Sequence, residues 1–151
     1  MSAQNEDRDL SLKLWVVLSR AHAALADHAQ ADVARHGLTL AEFGVLEVLF
    51  HRGPLLLGEV QRKVLVSSGG ITYLVDRLVR QGLVERRPCP EDRRARYAAL
   101  TAAGHTLIER IFPDHARAIQ RATAGLGTKE KRAAAALLRT LGRSAAELET
   151  A

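Results

Sequence analysis

Positive charge is concentrated in the middle of this sequence of 151 residues. Ten basic and five acidic residues lie between Arg52 and Arg96, so this segment alone accounts for the formal net charge of +5. A local basic block on an otherwise neutral chain is typical of a surface that binds a polyanion such as duplex nucleic acid. A solvated charged face is the alternative, and charge alone does not exclude it.

The segment from Ser67 to Arg80 combines an apolar face with an unusual opening. Its apolar residues recur three and four positions apart, which predicts a helix that buries one face in the core. These residues are Ile71, Leu74, Val75 and Leu78. The opposite face carries Ser68, Gly69, Thr72, Tyr73, Asp76 and Arg80. Two glycines in the first turn lower helix stability by about 1 kcal/mol each relative to alanine. Such small residues are expected where a helix must approach a DNA major groove closely.

A hairpin is predicted directly after this helix. Residues 83–87 and 96–100 have the composition of short strands, and the polar, proline-interrupted residues 88–94 predict an exposed tip. Arginine at such a tip can enter a narrow minor groove, while arginine on the stem can pair with flanking phosphates. We therefore expect Arg93, Arg94 and Arg96 to contact DNA near the tip. Arg86 and Arg87 are expected to contact it from the stem.

The sequence before these segments predicts three helices. A long first helix from about Asp9 to Arg35 shows helical apolar spacing and ends before Gly37. Thr39 is a suitable N-cap for a second helix. A short third helix runs through residues 59–63, and a turn is expected at residues 65–66. Together with the helix that follows, this order is typical of a helix-turn-helix core.

Two further helices follow the hairpin. Thr101 is expected to cap a fifth helix that is kinked at Pro113, and Thr128 to cap a final helix after a turn bracketed by Gly125 and Gly127. The first and last helices carry apolar stripes, and a second copy of the chain is the simplest partner to bury them. Packing on their own domain alone is the alternative. The fold class predicted is mainly α with a small β-hairpin wing: a winged helix-turn-helix with N- and C-terminal dimerisation helices.

Several functional classes lack the residues they need. An enzyme would require a positioned nucleophile, paired carboxylates or a metal cluster, and none is evident, so no catalytic residue, cofactor or metal is expected. The apolar stretch 38–50 is interrupted by polar residues, and the N-terminus is acidic, which predicts neither a membrane span nor a signal. A single cysteine, Cys89, suits a reducing compartment, so a cytoplasmic location is expected.

Three motifs in combination resemble the MarR family of winged-helix regulators. They are Leu83-Val84-Glu85-Arg86, then Pro90-Glu91-Asp92-Arg93-Arg94, then Leu100-Thr101-Ala102-Ala103-Gly104. The resemblance runs from about Thr39 to Gly104, and the helix lengths on both sides also fit. It implies one triangular homodimer, with interlocked dimerisation helices at residues 9–36 and 104–150. The DNA-binding lobe then spans residues 38–103.

The resemblance also implies how DNA would be held. Recognition helices enter successive major grooves of a pseudo-palindromic operator, and an Asp-x-Arg wing reaches the minor groove, with Arg94 as its reader and Asp92 as the clamp of that arginine. The residues expected to contact double-stranded DNA are Ser67, Ser68, Gly69, Gly70, Thr72, Tyr73, Arg77, Arg80, Arg86, Arg87, Asp92, Arg93, Arg94 and Arg96.

A small-molecule site is implied as well. Members of the family bind aromatic or phenolic compounds in a crevice lined by the first, second and fifth helices. Trp15, His22, Phe43 and Phe50 could offer an aromatic wall and a polar tip there, although ordinary core packing is the alternative for each. The sequence of the fourth helix and the wing also resembles the subgroup that responds to quinones and phenols.

These observations predict a sequence-specific DNA-binding transcriptional regulator, specifically a repressor released by an aromatic, phenolic or quinone-type ligand. Two alternatives stay open. One is a ligand-independent architectural DNA-binding protein. The other is a thiol-based redox sensor through Cys89, whose exposed thiol would be activated by neighbouring arginines. Redox-sensing relatives carry their cysteine near the first helix, where this chain has none, which favours an incidental Cys89.

Overall fold

The computed structural model describes residues 2–64 and 68–149, and none of the helices in these two ranges has the length and apolar character needed to cross a membrane. The predicted turn at residues 65–66 and the candidate residue Ser67 lie outside them. The helices are α1 (Ala3–Ala34), α2 (Leu40–Arg52), α3 (Leu57–Val64), α4 (Ser68–Arg80), α5 (Ala102–Ala122) and α6 (Thr128–Glu147). The strands are β1 (Leu55–Leu56), β2 (Val84–Cys89) and β3 (Asp92–Leu100).

A capping box fixes the start of α2. The Thr39 hydroxyl accepts the backbone N–H of Glu42 at 3.1 Å, and the Glu42 carboxylate accepts the backbone N–H of Thr39 at 3.1 Å. These two bonds satisfy donors that a helix N-terminus otherwise leaves without partners. The predicted N-cap at Thr39 is therefore confirmed.

The core lies between α2, α4, α5 and the sheet. The four apolar residues predicted to form the inner face of α4 are all buried, at 9% exposure or less. They pack in one cluster with residues of α1, α2, α3, α5 and both wing strands; examples are Val33, Phe43, Leu46, Val60, Val84, Ala98, Ile108 and Ile111. Because the opposite face of α4 stays outside this cluster, it is available to a partner.

The sheet has three antiparallel strands in the order β1-β3-β2. The hairpin register pairs Val84 with Leu100 and Arg86 with Ala98, as a hairpin of these strands requires. The predicted tip of residues 88–94 is wrong in extent, since both strands continue and leave a turn at Pro90 and Glu91. β2 is an edge strand, which can include Pro88 although proline donates no ladder hydrogen bond. The sequence analysis missed β1, whose two residues are too few for a strand pattern.

The junction between α4, the wing and α5 explains two of the sequence motifs. Gly82 ends α4 at φ +74°, where glycine is favoured. The Thr101 hydroxyl donates to the Gly82 carbonyl at 2.6 Å and accepts the backbone N–H of Gly104 at 3.0 Å, so the predicted cap of α5 is confirmed. The backbone N–H of Thr101 donates to the Leu83 carbonyl at 3.1 Å. A Cβ at Gly104 would lie only 2.0 Å from that same carbonyl oxygen.

Two helix starts differ from prediction. α1 begins at Ala3, six residues before the predicted start, because the Ser2 carbonyl accepts the N–H groups of its first turn. α5 includes Pro113 as predicted, and the kink expected there stays a prediction. The N-cap of α6 is Gly127 and not Thr128, because the Glu130 side chain accepts the Gly127 N–H at 3.0 Å and supplies the capping bond.

Apolar side chains remain uncovered on the terminal helices of the single chain. α6 buries none of its described residues, and Leu137 on it is 72% exposed. α1 buries residues only near its C-terminal end. The exposed large apolar residues on the two helices are Leu10, Leu12, Leu14, Trp15, Val16, Val17, Leu137, Leu138 and Leu141, and Leu148 directly after α6 is exposed as well. Such a surface on a folded chain marks an interaction site.

Candidate nucleic-acid interface

The outward face of α4 carries side chains of the types predicted to contact DNA. Thr72 and Arg80 are exposed, and Tyr73 is 57% exposed. Ser68, Gly69 and Gly70 form the beginning of the same helix. α4 therefore combines a core-facing apolar side with a polar outer side, as its sequence predicts.

Arg77 lies between a surface phenol and a buried carboxylate. Its Nη1 donates to the Tyr73 hydroxyl at 3.4 Å, and its Nη2 lies 3.8 Å from Glu42 Oε1. The hydrogen bond to Tyr73 raises the pKa of Arg77 above its ordinary value, and the negative charge of Glu42 adds to this effect. The Arg77 guanidinium is therefore held near the outer face of α4 by contacts on two sides.

An ion pair joins α4 to the wing. Arg86 Nη2 on β2 donates to Asp76 Oδ1 on α4 at 2.5 Å, with the Arg86 side chain 29% exposed. Charge-assisted hydrogen bonds of this length are among the stronger polar contacts in proteins. The pair fixes the wing stem against the outer side of α4, so Arg86, predicted as a phosphate contact, already has an anionic partner.

The other wing arginines differ in whether their guanidinium groups have partners within the wing. Arg87 pairs with Glu85 along the same strand at 2.7 Å. Arg96 Nη1 donates to the carbonyls of Arg93 and Ala95, which folds its guanidinium against the backbone. Over the described ranges, the exposed guanidinium groups of Arg93 and Arg94 form no ion pair.

Asp92 acts on the wing backbone. Its Oδ1 accepts the backbone N–H of Arg94 at 2.9 Å, a local bond of the kind that aspartate makes two residues along a turn. The sequence predicts that Asp92 clamps Arg94. The observed bond is to the backbone of Arg94, and the clamp of its side chain stays a prediction.

The expected exposure of Cys89 is wrong. Cys89 ends β2, is only 8% exposed and forms no disulfide. Cys89 lies beside Tyr97 and raises the pKa of Tyr97, first through charge repulsion and then through a hydrogen bond. Since oxidant sensing requires an accessible thiolate, this burial weakens the redox alternative.

A cavity of about 430 Å³ is bounded by α1, α2, α3 and α5. Phe43 and His115 form its aromatic wall, with ring centroids 4.3 Å apart. His115 Nδ1 lies 3.5 Å from the buried Asp32 Oδ2. The lining side chains also include Leu40, Glu47, Val48, Lys63 and Val64.

Of the four predicted ligand contacts, Phe43 alone lines this cavity. Trp15 is 68% exposed and His22 is exposed, so neither is core or cavity wall within one chain. Phe50 instead packs in an aromatic group with His51, His105 and Phe112. The sequence analysis missed His115, because only the packing of α5 on α2 brings it to Phe43. Among the residues with described positions, His, Cys, Asp and Glu side chains do not group in threes as a metal ion would need.

Known proteins are similar to this chain in sequence and in fold. Residues 36–95 match the MarR family profile. The chain is 41% identical to the HTH-type transcriptional regulator MhqR of Bacillus subtilis, covering 89% of this chain and 93% of MhqR. It resembles the solved structure of Bordetella bronchiseptica BpsR, whose DNA binding is regulated by 6-hydroxynicotinic acid, at 27% identity and a TM-score of 0.79, covering 85% and 92% of the two chains.

The structure of Sco3205, a MarR family regulator of Streptomyces coelicolor solved with DNA, shares the fold at a TM-score of 0.80 and 24% identity, covering 95% of this chain and 89% of that one. The matched family and relatives are transcriptional regulators and not enzymes. The capped α2, the α3–α4 pair, the wing and the flanking helices are the parts of a winged helix-turn-helix. This chain belongs to the MarR family of DNA-binding transcriptional regulators.

Proposed function

We propose that this protein is a repressor that binds a pseudo-palindromic DNA operator as a homodimer and leaves it when a small aromatic ligand binds. The main support for this DNA-binding surface is the Asp76–Arg86 ion pair, which joins the outer face of α4 to the wing. One lobe therefore presents a polar helix face together with Arg93 and Arg94, which are exposed and form no ion pair with any residue that the structure describes. A helix that fits the major groove and an arginine that fits the minor groove are the two elements that such recognition requires.

Different residues of this surface serve different purposes in the proposal. Thr72, Tyr73 and Arg80 on α4 reach base edges and phosphates in the major groove, and Arg94 enters the minor groove. Arg87 and Arg96 contact the DNA backbone from positions braced by Glu85 and by wing carbonyls. The beginning of α4, with the candidate Ser67 before it, approaches the DNA where small residues leave room.

Selection of bound duplexes tests this proposal. The wild-type protein is mixed with sheared DNA of its source organism, and retained fragments are sequenced. Recovery of a shared inverted repeat whose half-sites lie about one helical turn apart is the expected result for a dimeric reader. Retention of fragments without any common sequence would instead indicate the architectural alternative.

The uncovered apolar stripes of α1 and α6 support the homodimer. In the proposal, residues 9–36 and 104–150 form the dimer and residues 38–103 form the DNA-binding lobe. Trp15 and the exposed leucines are then covered by the partner subunit, which removes apolar surface from water and stabilises the assembly.

A charge placed in the α6 stripe should weaken the dimer. For Leu141→Glu we expect the dissociation constant of the dimer to rise about tenfold, because a carboxylate in an apolar interface must be desolvated. Sedimentation velocity over a concentration series measures this change. Arg143→Glu, on the opposite face of α6 by helical spacing, is the matched control and should sediment as the wild type. Equal sedimentation of all three proteins would contradict the proposed interface.

The Phe43–His115 cavity is the proposed ligand site. Its aromatic wall can pack against a ring, and the His115 imidazole, whose Nδ1 lies 3.5 Å from the Asp32 carboxylate, can bond a phenol hydroxyl or quinone oxygen. The cavity volume of about 430 Å³ lies within the usual range for small-molecule sites. Regulation of the relative BpsR by 6-hydroxynicotinic acid supports a small ring compound as the ligand class.

Replacing His115 should separate ligand release from DNA binding. For His115→Asn we expect that about tenfold more phenol or quinone is needed to release the bound duplex, since one hydrogen bond to the ligand is lost. The affinity for the duplex without ligand should not change. Titration of hydroquinone and benzoquinone against a labelled complex measures both quantities, with the exposed His105→Asn as control. Release of the wild-type protein by neither compound would count against a phenol or quinone inducer.

A further inference from the structure

Glu42 is a buried carboxylate that the capping of α2 does not fully explain. It is 1% exposed, and its Oε1 accepts the backbone N–H of Thr39. Over the described residues, its Oε2 is buried without a hydrogen-bond partner. A buried charge is costly unless an opposite charge or several donors compensate for it. A glutamine would make the same capping bond without this cost, so the charge itself calls for a second role.

The opposite charge nearest to this carboxylate comes from α4. Arg77 Nη2 lies 3.8 Å from Glu42 Oε1, while Arg77 Nη1 donates to the exposed Tyr73 hydroxyl at 3.4 Å. The guanidinium carbon also lies 5.9 Å from the centre of the Tyr73 ring, within reach of a cation–π contact. The Glu42 carboxylate in the first turn of α2, the Arg77 guanidinium and the Tyr73 side chain thus form a chain of contacts that ends on the outer face of α4.

These contacts restrict the conformations of Arg77 and Tyr73 at the protein surface. An arginine free in solvent samples many rotamers, and ordering it on binding costs conformational entropy. A fixed charge beneath Arg77 limits this sampling before DNA arrives. The constraint extends to Tyr73, because the Arg77 guanidinium contacts both its hydroxyl and its ring.

We propose that Glu42 is a positioning residue for DNA recognition, whose buried charge holds Arg77, and through it Tyr73, in the conformation that reads DNA. The inference rests on the proposed role of the α4 face. Glu42 is placed beneath α4 and is not itself a DNA contact. Its effect is therefore expected on the selected sequence more than on DNA in general.

A double-mutant cycle tests this role. The variants are Glu42→Gln, Arg77→Gln and the pair, with Glu109→Gln on α5 as control for the lost charge at an exposed site. Fluorescence anisotropy measures binding to the duplex that the wild type selects from a random pool, and to an unselected duplex of equal length. We expect Glu42→Gln to weaken the selected complex about fivefold to tenfold and the unselected one less than twofold, because the charge acts through Arg77.

The double variant should bind no more weakly than Arg77→Gln alone. The urea midpoint of Glu42→Gln should be no lower than that of the wild type, since glutamine preserves the cap and removes the cost of the buried charge. Wild-type affinity of Glu42→Gln, or effects of the two changes that simply add, would overturn the inference while leaving the DNA-binding proposal intact. If Glu42→Gln fails to fold, Glu42→Asp takes its place in the cycle, because the shorter side chain moves the negative charge away from Arg77. Failure of the wild type to select any duplex would overturn the role of α4 itself, and with it that of Glu42.

Discussion

Gly104→Ala should destabilise the fold by about 3 kcal/mol or more, the upper range for forced overpacking. The added Cβ would lie 2.0 Å from the Leu83 carbonyl oxygen and 3.0 Å from its carbon, and both atoms belong to backbone. That carbonyl also accepts the Thr101 N–H, so a shift of Leu83 would break the bond that fixes the start of α5. The junction of α4, wing and α5 would then have to separate. Urea unfolding followed by circular dichroism measures the change in unfolding free energy.

A second glycine provides the matched control. Gly142 lies within α6, and a Cβ there would meet no atom within 4 Å. Gly142→Ala should therefore stabilise the protein slightly, because alanine is favoured over glycine in a helix by up to about 1 kcal/mol. Equal stability of Gly104→Ala and the wild type would show that the junction can open and that the close approach is not needed for the fold.

Arg94→Ala should weaken binding to the selected duplex by about 1–3 kcal/mol, which is roughly fivefold to 150-fold. Its backbone is fixed by Asp92, so the side chain leaves the wing from a defined point. Since the side chain is exposed and forms no ion pair among the described residues, unfolding should be unaffected. The loss of affinity would therefore report a contact with DNA and not a change in fold.

Arg132→Ala controls for the change in net charge. Arg132 is exposed on α6, outside the proposed DNA-binding lobe. We expect its affinity for the same duplex to remain within about twofold of the wild type, because charges beyond a Debye length are largely screened. Equal losses for Arg94→Ala and Arg132→Ala would mean that overall charge, and not the wing, attracts DNA.

Local rules predicted much of the scaffold. The period of the apolar residues in α4 identified its buried face, and Thr39 and Thr101 were recognised as caps from type and position alone. These features depend on residues within one turn of each other. The alternating strands of the wing were likewise found from local pattern, although Pro88 led to a tip longer than the one observed.

Contacts between different helices and strands could not be predicted from local sequence patterns. Cys89 was expected to be exposed because it falls within the predicted tip of the wing, but it ends β2 and lies beside Tyr97. The pairing of Asp76 with Arg86 and of Phe43 with His115 depends on how α4 meets β2 and how α5 meets α2. The exposure of Trp15 and the α6 leucines has a related cause, because their expected partner surface belongs to a second subunit.

If α4 and the wing together bind the DNA backbone as well as its bases, the affinity for DNA must depend strongly on salt. Anisotropy of the selected duplex with the wild-type protein, measured over a series of KCl concentrations, should show log K falling linearly and steeply with log salt, since each neutralised phosphate releases about 0.9 counterion. Arg94→Ala should reduce the magnitude of that slope by about one. An affinity that does not change with salt, or a slope identical in the two proteins, would show that α4 and the wing do not bind the DNA backbone.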